Sequence, residues 1–167
     1  VEAFNSLSGA MGQLFQDEYM VEDRIMKQRE LVRSQVEGIV SQCEAFPVGT
    51  RVVIFGSAAN GFGSPSSDLD MCLQLPQGAG ITSEEDPTGA LAMGKLAEQF
   101  EKAGLQSVDT SRLAARIPII MSKCPRPLAQ VGEDSLMECD LSMQNPLACL
   151  NTSLLLTYSR IHPVTRV

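Results

Sequence analysis

"FGSAANGFGSPSSDLDMCL", residues Phe55 to Leu73, joins a turn rich in glycine and serine to two carboxylates inside an apolar run. The second half has the spacing of a β-strand. Alternation puts Asp68, Asp70, Cys72 and Gln74 on one face and Leu69, Met71, Leu73 and Leu75 on the other. Neighbouring carboxylates repel each other and are costly to strip of water. A bridging cation removes that cost, and an all-oxygen donor set selects Mg²⁺ or Mn²⁺ over softer metals. The turn before the strand supplies the complement. Gly56 lets backbone approach a phosphate closely, and Ser57 offers a hydroxyl and an N–H at the start of one or two helical turns, where the dipole favours anions.

On the N-terminal side, Val21, Ile25, Val32, Val36 and Val40 recur at helical spacing and predict a long amphipathic helix over residues 10–45. Phe46 to Thr50 ends it, and "RVVIF", Arg51 to Phe55, reads as a short β-branched strand. On the C-terminal side, Pro76 to Pro87 is a loop. A helix follows with Asp86 as N-cap and Pro87 at its first position. Met93, Leu96, Ala97, Phe100 and Ala103 form its buried stripe, and Gly104 stops it. "AARIPIIM", Ala114 to Met121, predicts another strand, with Pro118 suited to an edge or a bulge. Cys124 to Ser135 links it to a last strand, "LMECDLSM", Leu136 to Met143. A final helix begins near Asn145 and Pro146 and carries Leu147, Leu150, Leu154, Leu155 and Tyr158.

That last strand supplies a third carboxylate. Glu138, Asp140 and Ser142 share one face while Met137, Cys139, Leu141 and Met143 share the other. Three carboxylates can hold two metals, one activating a hydroxyl and one clamping a triphosphate. Asp68, Asp70 and Asp140 are therefore the candidate metal ligands. The segment matches neither G-x-G-x-x-G nor G-x-x-x-x-G-K-[ST], which removes dinucleotide-binding and P-loop readings.

The chain has 167 residues, is 44% hydrophobic and carries a net charge of −7. This is one domain's worth of material with enough apolar surface for a core. A nucleic-acid binder standing alone is usually basic, so phosphate-neutralising surface is expected elsewhere or from bound cations. Cys43, Cys72, Cys124, Cys139 and Cys149 are odd in number, form no C-x-x-C pair and meet a single histidine, which leaves no zinc pattern. Reduced, buried cysteines in an intracellular protein are the expectation. No apolar run nears the roughly 20 residues of a membrane span, and no signal-peptide pattern appears. Val1 and Val167 fall in mid-pattern, as expected of a piece of a longer protein.

The opening segment, with "ARIPII" and "ECDLSMQNPLACLNTSLLLTYSRIHPVTRV", resembles the DNA-polymerase-β-type nucleotidyltransferases. It is most similar to the terminal uridylyltransferases and the poly(A) polymerases related to them. The likeness runs in order from Arg51 to Val167. It implies an α+β palm lobe, a mixed sheet with flanking helices, preceded here by the N-terminal helical segment 1–46, with 47–167 as the catalytic unit. It implies that Gly56 and Ser57 hold the triphosphate and that Asp68 and Asp70 bind both metals. Asp140 completes the site and helps deprotonate the RNA 3′-hydroxyl. By the same likeness, Asn151 and Thr152 match positions that touch ribose and triphosphate, and Asn145 approaches the base or caps its helix. The expected activity is template-independent addition of UMP from UTP to an RNA 3′ end with Mg²⁺ or Mn²⁺. The expected setting is cytoplasmic or mitochondrial, within an RNA-processing complex and with no membrane. The family's second, helical domain is absent from these residues, which accounts for the acidic balance. Three rivals stand beside this reading: the same chemistry with ATP, a non-catalytic scaffold of the same fold, and a small-molecule nucleotidyltransferase. A scaffold has no need of three clustered carboxylates, and "NTSLLLTYSRIHP" speaks against the last.

Overall fold

A computed structural model describes residues 6, 9–13, 23–129 and 134–161. The ordered elements are α1 (Asp23–Gln42), β1 (Arg51–Ile54), α2 (Ser57–Asn60), β2 (Leu69–Gln74), α3 (Ala90–Lys102), β3 (Gln106–Asp109), β4 (Ile119–Pro125), β5 (Leu136–Met143) and α4 (Pro146–Ser159). The strands form one mixed sheet in the order β1-β2-β5-β4-β3. Only β2 and β5 run parallel; β1–β2, β5–β4 and β4–β3 are antiparallel. A parallel pair needs a long crossover, and here α3, β3 and β4 provide it. The α+β palm expected from the sequence is the fold observed.

Alternation divides the sheet. Leu69, Met71 and Leu73 of β2, Met137, Cys139 and Leu141 of β5 and Ile120 and Cys124 of β4 turn to one face and are buried. Val32, Val36 and Val40 of α1 and Met93, Leu96, Ala97 and Phe100 of α3 close the same core. Full burial of each large apolar side chain contributes about 1.5–3 kcal/mol. The other face carries Asp70 and Asp140, half-buried.

α1 also protects a sheet edge. β1 is the outer strand beside β2, and an unpaired edge invites aggregation. The Glu37 carboxylate accepts the Val52 N–H at 2.8 Å, and Arg33 donates to the Val52 carbonyl at 3.2 Å while pairing with Glu37 at 2.8 Å. The Val52 N–H holds the Glu37 carboxyl below the usual carboxylate range, with Arg33 and Arg51 adding to it.

Several expected boundaries move. Of the helix expected over residues 10–45, Asp23–Gln42 is seen as one element and residues 9–13 are also helical; residues 14–22 lie outside the described residues, and Cys43 to Ala45 turn away from the helix. α3 starts at Ala90, after Gly89 at φ +79°, and not at Pro87. Asp86 still caps it from a distance, its carboxylate accepting the Leu91 N–H at 3.0 Å. Ala103 is exposed, so the stripe ends at Phe100. β4 runs from Ile119 to Pro125, later than expected, because residues 111–117 turn before it and pairing with β5 extends it. β3 was not expected from the sequence: it is short, polar and largely exposed, and only its pairing with β4 makes it a strand. All five cysteines are free, four buried and Cys149 partly exposed. Among the described residues no helix is long and apolar enough to cross a membrane.

Candidate active site

The parallel pairing of β2 with β5 sets Asp70 directly opposite Asp140. Asp68 precedes β2 and, two residues before Asp70, falls on the same face; it is exposed and acts electrostatically on both neighbours. Burial, then the charges of Asp140 and Asp68, push the Asp70 carboxyl above its usual range. Asp140 is raised by burial too; Arg112 opposes the rise, while Asp68 and Glu138 reinforce it. The strands thus hold negative charges together in a half-dry place where the fold alone leaves them unfavourable.

Backbone closes over these carboxylates. Phe55 N–H donates to the Asp70 carbonyl at 2.9 Å, continuing the β1–β2 ladder. The chain then turns at Gly56, with φ +69°. A Cβ on Gly56 would run into the Asp70 carboxylate, whose Cγ lies 3.0 Å from that point. Ser57 opens α2, and Gly61 at φ +84° ends it. The loop returning to Asp68 passes so near that a Cβ on Gly63 would strike the Ser57 carbonyl, its carbon 2.8 Å away. Gly63 was not singled out in the sequence, although "NGFG" carries the signal: a second glycine where backbone crosses backbone.

α4 locks the turn from the far side. The Gly56 N–H donates to Thr152 Oγ1 at 2.9 Å, and that hydroxyl donates to the Ala148 carbonyl at 2.8 Å. Thr152 is buried and its hydroxyl is used twice within the protein, so it anchors the Gly-Ser turn. Asn151, beside it, is exposed. Asn145 caps α4, its side-chain oxygen accepting the Ala148 N–H at 3.3 Å. Its own N–H donates to Cys72 Sγ at 3.0 Å. Burial is the main cause that pushes the Cys72 thiol up to about 11, which leaves it a neutral neighbour of the carboxylates.

Clefts open around this region, and the first of them borders Asp68. One, of about 650 Å³, is lined by Asp68, Glu138, Ser66, Ser67, Arg24 and Arg126. A second, of about 610 Å³, is lined by Arg112, Arg116, Ile119, Asn145 and Leu147 among others. A third, of about 430 Å³, opens between Cys72, Gln74, Asn145 and Cys149. The donor set suits a hard cation: three carboxylates, no histidine, and a thiol that stays protonated. Among the described residues, no three His, Cys, Asp or Glu side chains already surround one point.

Residues 7–160 match the family described as poly(A) RNA polymerase, mitochondrial-like, central palm domain. The chain belongs to this family. Human terminal uridylyltransferase 7 is 35% identical to this palm domain over 136 residues, which cover 81% of this chain and 8% of the relative. Human poly(A) RNA polymerase GLD2 is 28% identical over 173 residues, covering 99% of this chain and 33% of the relative. A solved structure of mtPAP in complex with CTP superposes with a TM-score of 0.76 at 27% identity, covering 96% of this chain and 34% of that one. The palm domain thus spans about a third or less of these relatives. The family expected from the sequence is the family found.

Proposed function

We propose that this chain is the catalytic palm lobe of an RNA 3′-terminal nucleotidyltransferase that adds UMP from UTP. The observation that carries the proposal is the pairing of Asp70 with Asp140 across parallel strands, with the Gly56 backbone pressed against Asp70. In this reading Asp68, Asp70 and Asp140 hold Mg²⁺ or Mn²⁺. When bound, such ions supply a more acidic attacking hydroxyl and charge neutralisation at the triphosphate. The chain's own groups do the rest. Gly56, with no side chain, lets the triphosphate approach the turn, and Ser57 presents its backbone N–H and hydroxyl to it. Thr152 keeps that turn in place. Asn151, exposed on α4, reaches the ribose, and Asn145 borders the base. Asp140 takes the proton of the RNA 3′-hydroxyl, which attacks the α-phosphorus in line as pyrophosphate leaves. The arginine-lined cleft of Arg112 and Arg116 receives the RNA end.

Uridylyl transfer is favoured by the higher identity to terminal uridylyltransferase 7. The family description, a poly(A) RNA polymerase palm, and the poly(A) RNA polymerase GLD2 relative favour ATP as the second reading. α1, in the segment 1–46, braces the catalytic unit through the core that it shares with the sheet. Leu147 and Leu150 of α4 are 68% and 67% exposed, and we assign that apolar face to a helical domain of the full protein. The free cysteines fit a reducing, cytoplasmic or mitochondrial setting. Competition kinetics on the full-length protein, with UTP and ATP on one RNA, test the reading. A kcat/KM ratio of about ten or more for UTP, about 1.4 kcal/mol, supports it. A ratio reversed by as much replaces UTP with ATP, and absence of transfer from any nucleoside triphosphate removes the enzyme.

A further inference from the structure

Arg29 is the largest side chain among the fully buried residues, at 0% exposure. It lies on α1, where leucine or methionine would pack without bringing a charge inside. None of its hydrogen-bond partners among the described residues is a carboxylate. Nη2 donates to the Ser64 carbonyl at 2.8 Å and lies 3.5 Å from the Ser67 carbonyl. Nε and Nη1 have no partner among the described residues. Burial and the like charge of Arg126 disfavour the guanidinium. A buried guanidinium is costly to desolvate, and among the described residues the groups it holds are these two carbonyls.

Those carbonyls belong to the loop that delivers Asp68. The Ser67 N–H donates to the Ser64 carbonyl at 3.1 Å, and the Ser64 N–H donates to Ser67 Oγ at 2.9 Å. This closed turn presents both carbonyls inward to Arg29. Sheet pairing begins only at Leu69, opposite Cys139. Asp70 is therefore fixed by ladders on both sides, whereas Asp68 stands outside the ladder and takes its position from the loop.

We propose that Arg29 is a positioning residue for Asp68, holding the Ser64–Ser67 turn so that the Asp68 carboxylate meets the metal shared with Asp70 and Asp140. The inference rests on the metal-site reading above. Mn²⁺ binding to the full chain, followed by water-proton relaxation, tests it in wild type, Asp68→Ala, Arg29→Lys and the double variant. Arg29→Lys keeps the charge but offers a single point where the guanidinium spans two carbonyls. Loss of an outer partner of a ligand weakens metal binding about 10- to 100-fold, and that loss is expected for Arg29→Lys. In the Asp68→Ala background the same change is expected to add less than about twofold, because the group it positions is gone. Equal losses in both backgrounds overturn the inference and make Arg29 a packing residue. If Asp68→Ala leaves Mn²⁺ affinity unchanged, the metal-site reading fails first and this inference with it. Should circular dichroism show Arg29→Lys unfolded, Ser67→Ala loosens the same turn from outside the core. The same non-additivity with Asp68→Ala then supports the proposal, and additivity overturns it.

Discussion

A methyl group at position 56 and the Asp70 carboxylate compete for the same space. Gly56→Ala also puts a Cβ at φ +69°, a strain of about 1–2 kcal/mol. The variant should therefore melt earlier and lose nucleotide transfer, whereas Ser57→Ala should weaken nucleotide binding with little change in melting. Thr152→Val leaves the Gly56 N–H without its acceptor, and should cost about 1–3 kcal/mol in thermal unfolding; Thr152→Ser should restore most of it. The acidic pair has its own signature. The folded-state pKa of Asp70 is raised, so the stability linked to its protonation is present below its unfolded value of about 3.9 and is lost as pH rises through the folded value. Asp70→Asn should thus raise the melting temperature of the metal-free chain at pH 7 and lose that advantage at pH 3; a lower melting temperature at pH 7 would contradict this. At this scale the sequence shows Asp68, Asp70, Asp140 and Gly56 plainly, because carboxylates in an apolar strand and glycine before a helix are costly unless used. It does not show that Thr152 accepts from Gly56, since 96 residues separate them, or that Arg29 is buried, since arginine on an amphipathic helix usually faces water.

Single elements were legible where their periodicity is internal. The valines of α1 and the alternation of β2 and β5 state their own conformations. β3 has no such pattern, and the last residues of β4, Lys123 to Pro125, look like loop. Both are strands because a neighbour offers hydrogen bonds, and Lys123 gains an ion pair with Glu138 at 2.9 Å across that ladder. The brace between α1 and β1 belongs to this scale. Glu37 has a lowered folded pKa. Its stabilisation is present above the unfolded value and lost as pH falls through the folded one, opposite in sign to Asp70. Glu37→Ala leaves the Val52 N–H without its acceptor and should cost about 1–3 kcal/mol at pH 7. Denaturant titration of both chains should show that gap narrowing under acid; a gap that widens would mean that Glu37 does not act through its charge.

At the scale of the molecule, α1 and α3 seal one face of the sheet, and among the described residues the other face carries Asp70 and Asp140 half-buried. α4 leaves that face with Leu147, Leu150, Leu154 and Tyr158 exposed. A run of leucines announces a helix, but not which side of it packs against the sheet. Leu150→Glu with Leu154→Glu should leave this chain folded and less prone to associate, while lowering activity of the full-length protein at least tenfold, about 1.4 kcal/mol. Sedimentation of the chain and turnover of the full protein measure the two effects. In the proposed reading Asp68, Asp70 and Asp140 form one metal-binding and proton-accepting unit. Its most direct measurement is 3′-end extension of a labelled RNA by full-length protein carrying Asp68→Ala, Asp70→Ala or Asp140→Ala, with circular dichroism recorded beside each. Each variant is expected to keep the wild-type spectrum and lose transfer by about 10³-fold or more, roughly 4 kcal/mol of transition-state stabilisation. Extension at the wild-type rate by any one of them would contradict the account.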